Sequence, residues 1–229
     1  MTAKIIEIFQ SIQGEGKYAG VNQVFVRFFE CNMHCSWCDT PHSIGDTTRR
    51  YREVNLLELF EEIQAQWPGS HSVTLTGGEP LLQVDFLKRL IPELSKRGMP
   101  VHLETNGVLP DELEQIIDIV DVVAMDMKLP SSTQCRSYWD EHRKFLEIAR
   151  RAEVFIKTVI TRETSAEDVQ RTIDLIAAVD PGVLFILQPN TFELGQGVME
   201  VCRQYYLTAS QRLANVRVLP QMHKMMKVR

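Results

Sequence analysis

The sequence predicts an α/β fold, a partial, open barrel of the (β/α)6 type with flanking strands, built from residues 1–229 as a single domain. Three observations predict it. Short β-branched and aromatic runs alternate with helical patterns, the arrangement that pairs strands in parallel through crossover helices. About six complete β/α units can be counted, too few for the eight-fold closed barrel that typically needs about 250 residues. Polar or glycine-rich signatures sit at the carboxyl ends of six of the strands, which in a parallel barrel share one face and build one site there.

Strands are expected at 4–9 and 23–29, the second ending in the cysteine-rich segment Cys31–Cys38. A helix follows over 55–67, with Leu56, Leu59, Phe60, Ile63 and Trp67 on one face and Asn55 and Glu58 spaced as a capping box. The strand at 72–76 runs into Thr76-Gly77-Gly78-Glu79-Pro80. The helical pattern over 81–97 carries Leu82, Phe86, Leu90 and Leu94, and Pro92 should kink or divide it. The strand at 101–104 precedes ETNG and that at 120–125 precedes DMK, with weaker helical patterns at 110–119 and 137–151. A strand at 154–160 leads to a helix over 165–179, where Ser165 and Asp168 have cap spacing. Strands at 183–187 and 216–219, ending in QPN and PQMHK, flank a weaker helix at 197–213.

The bulk composition narrows the function classes. With 25 basic and 30 acidic residues the chain is formally −5, and it lacks a basic stripe for a nucleic-acid backbone. The cluster Arg49, Arg50, Arg52 and the tail Lys224, Lys227, Arg229 read as solvated surface. No apolar run approaches the roughly 20 residues of a membrane span, and MTAKIIEIFQ has no apolar export core, so a cytoplasmic enzyme is expected. Of five cysteines, three lie within eight residues; that clustering, in a chain without an export signal, suggests metal ligands rather than disulfides. Cys135 and Cys202 are isolated and read as packing residues, as do the nine methionines.

The clustered thiols read Cys31-Asn-Met-His-Cys35-Ser-Trp-Cys38, or C-x3-C-x2-C. Two centres fit. A tetrahedral zinc needs a fourth ligand, for which His34, His42 and Asp39 are the candidates. A 4Fe-4S cubane held by three thiolates instead keeps one iron open for a ligand. Here the sequence resembles the radical S-adenosylmethionine (SAM) superfamily, whose motif has this spacing and an aromatic residue where Trp37 stands. Thr76-Gly77-Gly78-Glu79-Pro80 resembles that superfamily's GGE turn, in which two glycines allow close backbone approach and the turn carbonyls and Glu79 would accept from the SAM ammonium. The resemblance implies a radical SAM barrel and an open iron that chelates SAM.

Phe9-Gln10-Ser11-Ile12-Gln13-Gly14-Glu15-Gly16, followed by Arg27, CSWCDT, TGGEP, ETNG, MDMKLPSS, LQP and Gln221-Met-His-Lys224, is similar to the 7-carboxy-7-deazaguanine synthases within that superfamily and covers essentially the whole chain. The resemblance implies conversion of 6-carboxy-5,6,7,8-tetrahydropterin to 7-carboxy-7-deazaguanine, with ring contraction and loss of ammonia, on the route to queuosine and related 7-deazapurines. An electron from the reduced cluster would cleave SAM, and the resulting 5′-deoxyadenosyl radical would abstract hydrogen from the carbon bearing the carboxylate.

The resemblance also implies roles. Cys31, Cys35 and Cys38 ligate the cluster, and Thr40 matches the position of a Mg2+ ligand. Trp37, Cys38, Asp39, Gly78, Asp126, Met127 and Lys128 face SAM, with Gln188, Pro189, Asn190 and Thr191 along its adenosine. Ile12, Gln13, Gly14, Glu15, Arg27 and Thr76 meet the pterin, Arg27 through the substrate carboxylate and Glu15 through ring N–H groups. Lys157, alternating with Phe155 and Val159, faces the lumen or makes a structural ion pair. His223 and Lys224 could close the site. A flavodoxin or ferredoxin-type reductant and a homodimer are further expectations. Two rival readings remain, another radical SAM enzyme such as a glycyl-radical activase, and a non-catalytic metal-binding module.

Overall fold

The computed structural model describes residues 1–45 and 51–228, so Arg49, Arg50 and Arg229 lie outside the described residues. One sheet of nine strands organises them. β1 (Thr2–Ile12) pairs antiparallel with β2 (Asn22–Phe28) on one side and with β3 (Arg52–Asn55) on the other. From β2 onward β4 (Ser72–Gly77), β5 (Val101–Thr105), β6 (Val122–Asp126), β7 (Glu153–Ile160), β8 (Leu184–Pro189) and β9 (Val216–Val218) are all parallel. The order β3-β1-β2-β4-β5-β6-β7-β8-β9 leaves β3 and β9 as separate edges, so the barrel is open, as the unit count requires.

The principal crossover helices are α1 (Leu56–Gln66), α2 (Val84–Ser95), α3 (Pro110–Glu114), α5 (Trp139–Ala149), α6 (Ala166–Val179) and α7 (Val198–Ala209). Two short helices, α4 (Pro130–Thr133) and α8 (Met222–Met226), follow β6 and β9. Each strand gives alternate residues to the helix-covered face, where Val24, Val26, Phe28, Val73, Leu75, Leu103, Val123, Met125, Ile156 and Phe185 join the main core. The inner face is plugged at its base by Val122, Ala124, Phe155, Leu184 and Ile186. Beside that plug lie the polar Gln23, Thr74, His102 and Glu104, and Lys157 and Gln188 stand further along β7 and β8. Period-2 alternation thus separates a packing face from a chemical one.

Local signals account for the element ends. Asn55 accepts from Leu57 and Glu58 backbone N–H groups while Glu58 reaches back to the Asn55 N–H, completing the expected capping box. The Ser165 side chain accepts from the Asp168 N–H, whereas the Asp168 carboxylate accepts from Ser131 instead of returning to the cap. Pro92 does not divide α2. It falls in the last turn, where only the bond to the Lys88 carbonyl is lost and Phe86, Leu87, Leu90, Ile91 and Leu94 keep the helix buried. The pattern at 110–119 yields only α3 and a 3-10 turn over Ile117–Ile119. β3 was not expected, because four residues with two charges carry no alternation; pairing with β1 makes the strand.

The turn after β4 packs closely on neighbouring backbone. Gly77 has φ +132°, and a Cβ there would lie 2.2 Å from the Phe28 carbonyl oxygen; one on Gly78 would lie 2.0 Å from that of Glu30. The two glycines let the turn dock on the strand and loop that precede the first cysteine, and the Gly78 and Glu79 N–H groups donate to the Phe28 and Glu30 carbonyls at 3.1 and 2.8 Å. Asn55→Ala should cost about 1 kcal/mol through the lost cap. Gly77→Ala should cost clearly more, because backbone on both sides must move; denaturant unfolding of the two variants beside the parent measures the difference.

Candidate active site

The carboxyl ends of the parallel strands surround an open cavity of about 210 Å³. Cys31, Cys35 and Cys38 all line it, as free thiols on the loop after β2. That loop is held from several sides. Cys31 N–H donates to Ile44, Ser36 N–H to Thr133 on α4, and the Trp37 indole N–H to the Ser132 carbonyl at 2.8 Å. Asn106, after β5, donates through its amide to the Asn32 side chain at 2.7 Å. Burial pushes the Cys31 thiol up to about 11 and that of Cys35 to about 12.

Of the three proposed fourth ligands, His34 is exposed and neither it nor His42 lines the cavity. The Asp39 carboxylate accepts from Gln221 at 3.0 Å and lies 3.7 Å from the Lys224 ammonium. Three thiols with no fourth protein donor from this set fit a cubane with an open corner better than a closed zinc site. The residues expected to face SAM supply matching acceptors. Asp126 Oδ1 and Gln188 Oε1 both belong to cavity-lining residues, both are buried, and neither has a hydrogen-bond partner among the described residues. Buried acceptors without donors are costly unless a ligand completes them. Gly78, Pro189, Asn190 and Thr191 line the same wall, with Trp37 beneath the Lys128 ammonium at 4.7 Å from the ring centre.

Two expectations are corrected. Met127 does not line the cavity: its side chain alternates to the helix-covered face and is fully buried, and its backbone bonds to Lys157 and Thr158. Glu79 is fully buried and accepts from the Leu81 N–H, the Thr105 hydroxyl and the Asn106 N–H at 3.1, 2.9 and 2.8 Å. Its carboxylate clamps the β4 turn to the end of β5 and does not reach the cavity. Burial pushes its pKa up to about 7, against those three hydrogen bonds.

A further part of the lining comes from the loop joining β1 to β2. Gln13 is buried, its amide donating to Glu104 at 2.8 Å and to Gln23 at 3.0 Å, and its oxygen accepting from the Glu15 N–H. Gly14 is required there, since a Cβ would meet the His223 ring at 2.0 Å. Glu15 Oε2 accepts from Lys157 at 2.6 Å and Oε1 from Gln221 at 2.6 Å. Burial alone would raise the Glu15 pKa, but the Lys157 charge and these bonds hold it down at about 2. Glu104, under the same burial and beside the Glu15 charge, is pushed up instead. Lys157 faces the lumen and is also ion-paired, so the two readings of it are one arrangement.

Arg27 lines the cavity beside Phe25, Ile12 and Thr76, and its Nε donates to Glu7 on β1 at 2.8 Å. Thr40 is at the cavity wall, its hydroxyl 3.9 Å from Cys38 Sγ and its carbonyl accepting from Ser43. Arg52 is an exposed partner of Glu62, as a solvated cluster should be. Sequence reading assigned no role to Glu104, Asn106 or Gln221, although Glu104 is the penultimate residue of β5 and the other two follow β5 and β9; that position was the available signal. Cys202 is core, and Cys135 is half-buried near Thr133.

A protein-family model for the radical SAM superfamily matches residues 26–176, from β2 through most of α6. The chain belongs to the radical SAM superfamily. Superfamily membership implies a 4Fe-4S cluster and SAM, which the three thiols and the orphaned acceptors fit. Within the superfamily it is a member of the 7-carboxy-7-deazaguanine synthase family. A synthase of that name from Geobacter sulfurreducens is 39% identical over 98% of this chain and 97% of its own. Another from Archaeoglobus fulgidus is 36% identical over 100% of both. Among solved structures, QueE from Escherichia coli superposes with a TM-score of 0.69 at 23% identity, covering 97% of this chain and 95% of that one, a likeness of fold.

Two measurements follow from the radical SAM site. Thiols held up by burial must lose protons to bind iron, so iron loading at limiting ferrous ion and sulfide should rise from pH 7 to pH 9; an iron content indifferent to pH would contradict the buried geometry. The raised Glu79 pKa means that the folded chain binds more protons than the unfolded one between the ordinary glutamate value of 4.5 and about 7, so this group makes stability fall as pH rises through that window. Glu79→Gln should flatten that slope in pH-dependent unfolding, while costing about 1–3 kcal/mol from the backbone donor left facing an amide N–H2.

Proposed function

We propose that the protein is a radical SAM enzyme that converts 6-carboxy-5,6,7,8-tetrahydropterin to 7-carboxy-7-deazaguanine, with loss of ammonia, in the biosynthesis of queuosine and related 7-deazapurines. The near full-length identity to proteins named for that synthase carries the reading. The cavity supports it by being lined at once by the three thiols, by Gln13, Gly14 and Glu15 of the β1–β2 loop, and by Arg27 and Thr76.

When bound, the reduced cluster and SAM supply one-electron cleavage and a carbon-centred radical able to abstract hydrogen. The chain's own residues then have positional tasks. Cys31, Cys35 and Cys38 hold the metal centre. Asp126 and Gln188 accept from SAM through their free buried oxygens, while Trp37, Asp39, Gly78, Lys128 and Pro189–Thr191 enclose it. Glu15, ionised throughout the neutral range, accepts two N–H donors of the pterin edge, a pairing that rejects analogues lacking them. Gln13 and Gly14 shape that edge of the pocket with Ile12 and Thr76. The Arg27 guanidinium, engaged by Glu7 only through Nε among the described residues, offers its terminal nitrogens to the substrate carboxylate. Thr40, at the cavity wall, would supply one hard oxygen to a Mg2+ bound together with the substrate.

Further parts of this reading are a cytoplasmic location, a flavodoxin or ferredoxin-type reductant and a homodimer. No helix among the described residues is long and apolar enough to cross a membrane.

Anaerobically reconstituted protein should carry about four irons and, with reductant, SAM and the tetrahydropterin, form the deazaguanine. SAM cleavage without that product would redirect the substrate assignment. Arg27→Ala should lower kcat/KM for the pterin by 100-fold or more, on the order of 3 kcal/mol for one charge-assisted contact, with SAM binding unchanged.

A further inference from the structure

Lys157 projects from the middle of β7 and lies beside Asp126 in the β6–β7 register. Its side chain is only 11% exposed. The ammonium donates to Glu15 at 2.6 Å and to Asp126 Oδ2 at 2.9 Å. Those two carboxylates come from segments 142 positions and 31 positions away in sequence. On the reading above, Glu15 meets the pterin and Asp126 meets SAM.

Each carboxylate has one further anchor. Gln221 donates to the other Glu15 oxygen at 2.6 Å. Lys128 donates to the Asp126 oxygen that Lys157 also uses, at 2.8 Å. Asp126 Oδ1 is left buried and without a partner among the described residues. A single, largely buried cation is therefore divided between two anions.

We propose that Lys157 is a positioning residue that shares one positive charge between the substrate-side Glu15 and the SAM-side Asp126, and so sets how strong an acceptor each presents to its ligand. This rests on the assignment of SAM to Asp126 and of the pterin to Glu15. The direction follows from electrostatics. If Glu15 loses its charge, Lys157 turns wholly to Asp126 and neutralises it further, leaving Asp126 a poorer acceptor for SAM. If Asp126 loses its charge, the ammonium moves toward Glu15, and the pterin's N–H donors meet a weaker acceptor. An ordinary structural ion pair predicts neither remote effect.

The test uses full-length protein loaded with its cluster in the oxidised state, so that binding is read without turnover. The dissociation constant for SAM alone, with no pterin present, is measured for the parent, Glu15→Gln, Lys157→Gln and the double variant. Glu15→Gln should weaken SAM binding about threefold or more, the scale of coupling within one ion-pair network. In the Lys157→Gln background the same change should leave SAM affinity within experimental error. Lys157→Arg, which keeps the charge, should restore the remote effect. Asp126→Asn should in turn weaken binding of 6-carboxytetrahydropterin by a similar factor. An unchanged SAM affinity in Glu15→Gln, or an equal loss with and without Lys157, overturns the proposal. If Lys157→Gln does not fold, the Glu15→Gln and Asp126→Asn measurements decide by themselves, since absence of both remote effects is the contrary result. The SAM measurement involves no pterin, so a failed substrate assignment shows separately, as a parent protein that binds SAM and not the pterin.

Discussion

Seven strands running in one direction deliver their carboxyl ends to a single rim, and the chemistry of this protein depends on that constraint. The thiols, the acceptors Asp126 and Gln188, and the cations Lys128 and Lys157 come from segments spread over more than 150 positions of the chain. They meet because each lies near or just beyond the carboxyl end of its strand, apart from Lys157, which reaches up from the middle of β7. The antiparallel β1 is the exception that completes the site, since its last residue pairs with the first of β2 and the loop between them enters the lumen from the amino ends of the parallel strands, bringing in Gln13 and Glu15. An eighth parallel unit would close the barrel; leaving it open keeps a wide mouth for two ligands at once.

The cavity concentrates charge where water is scarce. Glu15, Glu104 and Asp126 surround Lys128 and Lys157, and burial alone would raise every carboxyl among them and lower both ammonium groups. Mutual attraction reverses this for Glu15, Asp126 and the two lysines, whereas Glu104 is left on the raised side. Burying ions in this way adds little to stability, because desolvation offsets the Coulomb gain. What it supplies is orientation. Neighbouring carboxylates held in different protonation environments are the ordinary means by which one pocket binds groups of different polarity.

Much of this was legible in the sequence because it is periodic or local. Alternation revealed the strands, the spacing of Asn55 and Glu58 revealed the start of α1, and three thiols in eight residues revealed the metal centre. The strand ends also located the active face without any family knowledge. Contacts made by distant segments stayed hidden. Nothing near Lys157 in sequence announces Glu15, and nothing near Gln221 announces that its amide ties together Glu15 and Asp39. β3 escaped because its four residues owe their conformation to β1. Met127 was misplaced for a related reason: a motif read as a contiguous block ignores that adjacent strand residues point to opposite faces.

Glu79 shows how a motif can be right about place and mistaken about task. A glutamate after two glycines at a strand end invites assignment as a ligand to an ammonium group. Three donors converge on its carboxylate from behind the wall, and none of its surface is exposed. A carboxylate so satisfied would have to abandon backbone N–H groups to meet a ligand, leaving them buried and unpaired. Its reach runs instead through Asn106 to Asn32, inside the cysteine loop. The glycines act in the same sense, since the atoms they admit are the Phe28 and Glu30 carbonyls. The turn therefore has two faces: Gly77 and Gly78 line the cavity, while Glu79 and the backbone N–H groups of the turn hold it against the strand and loop that lead into the cysteines.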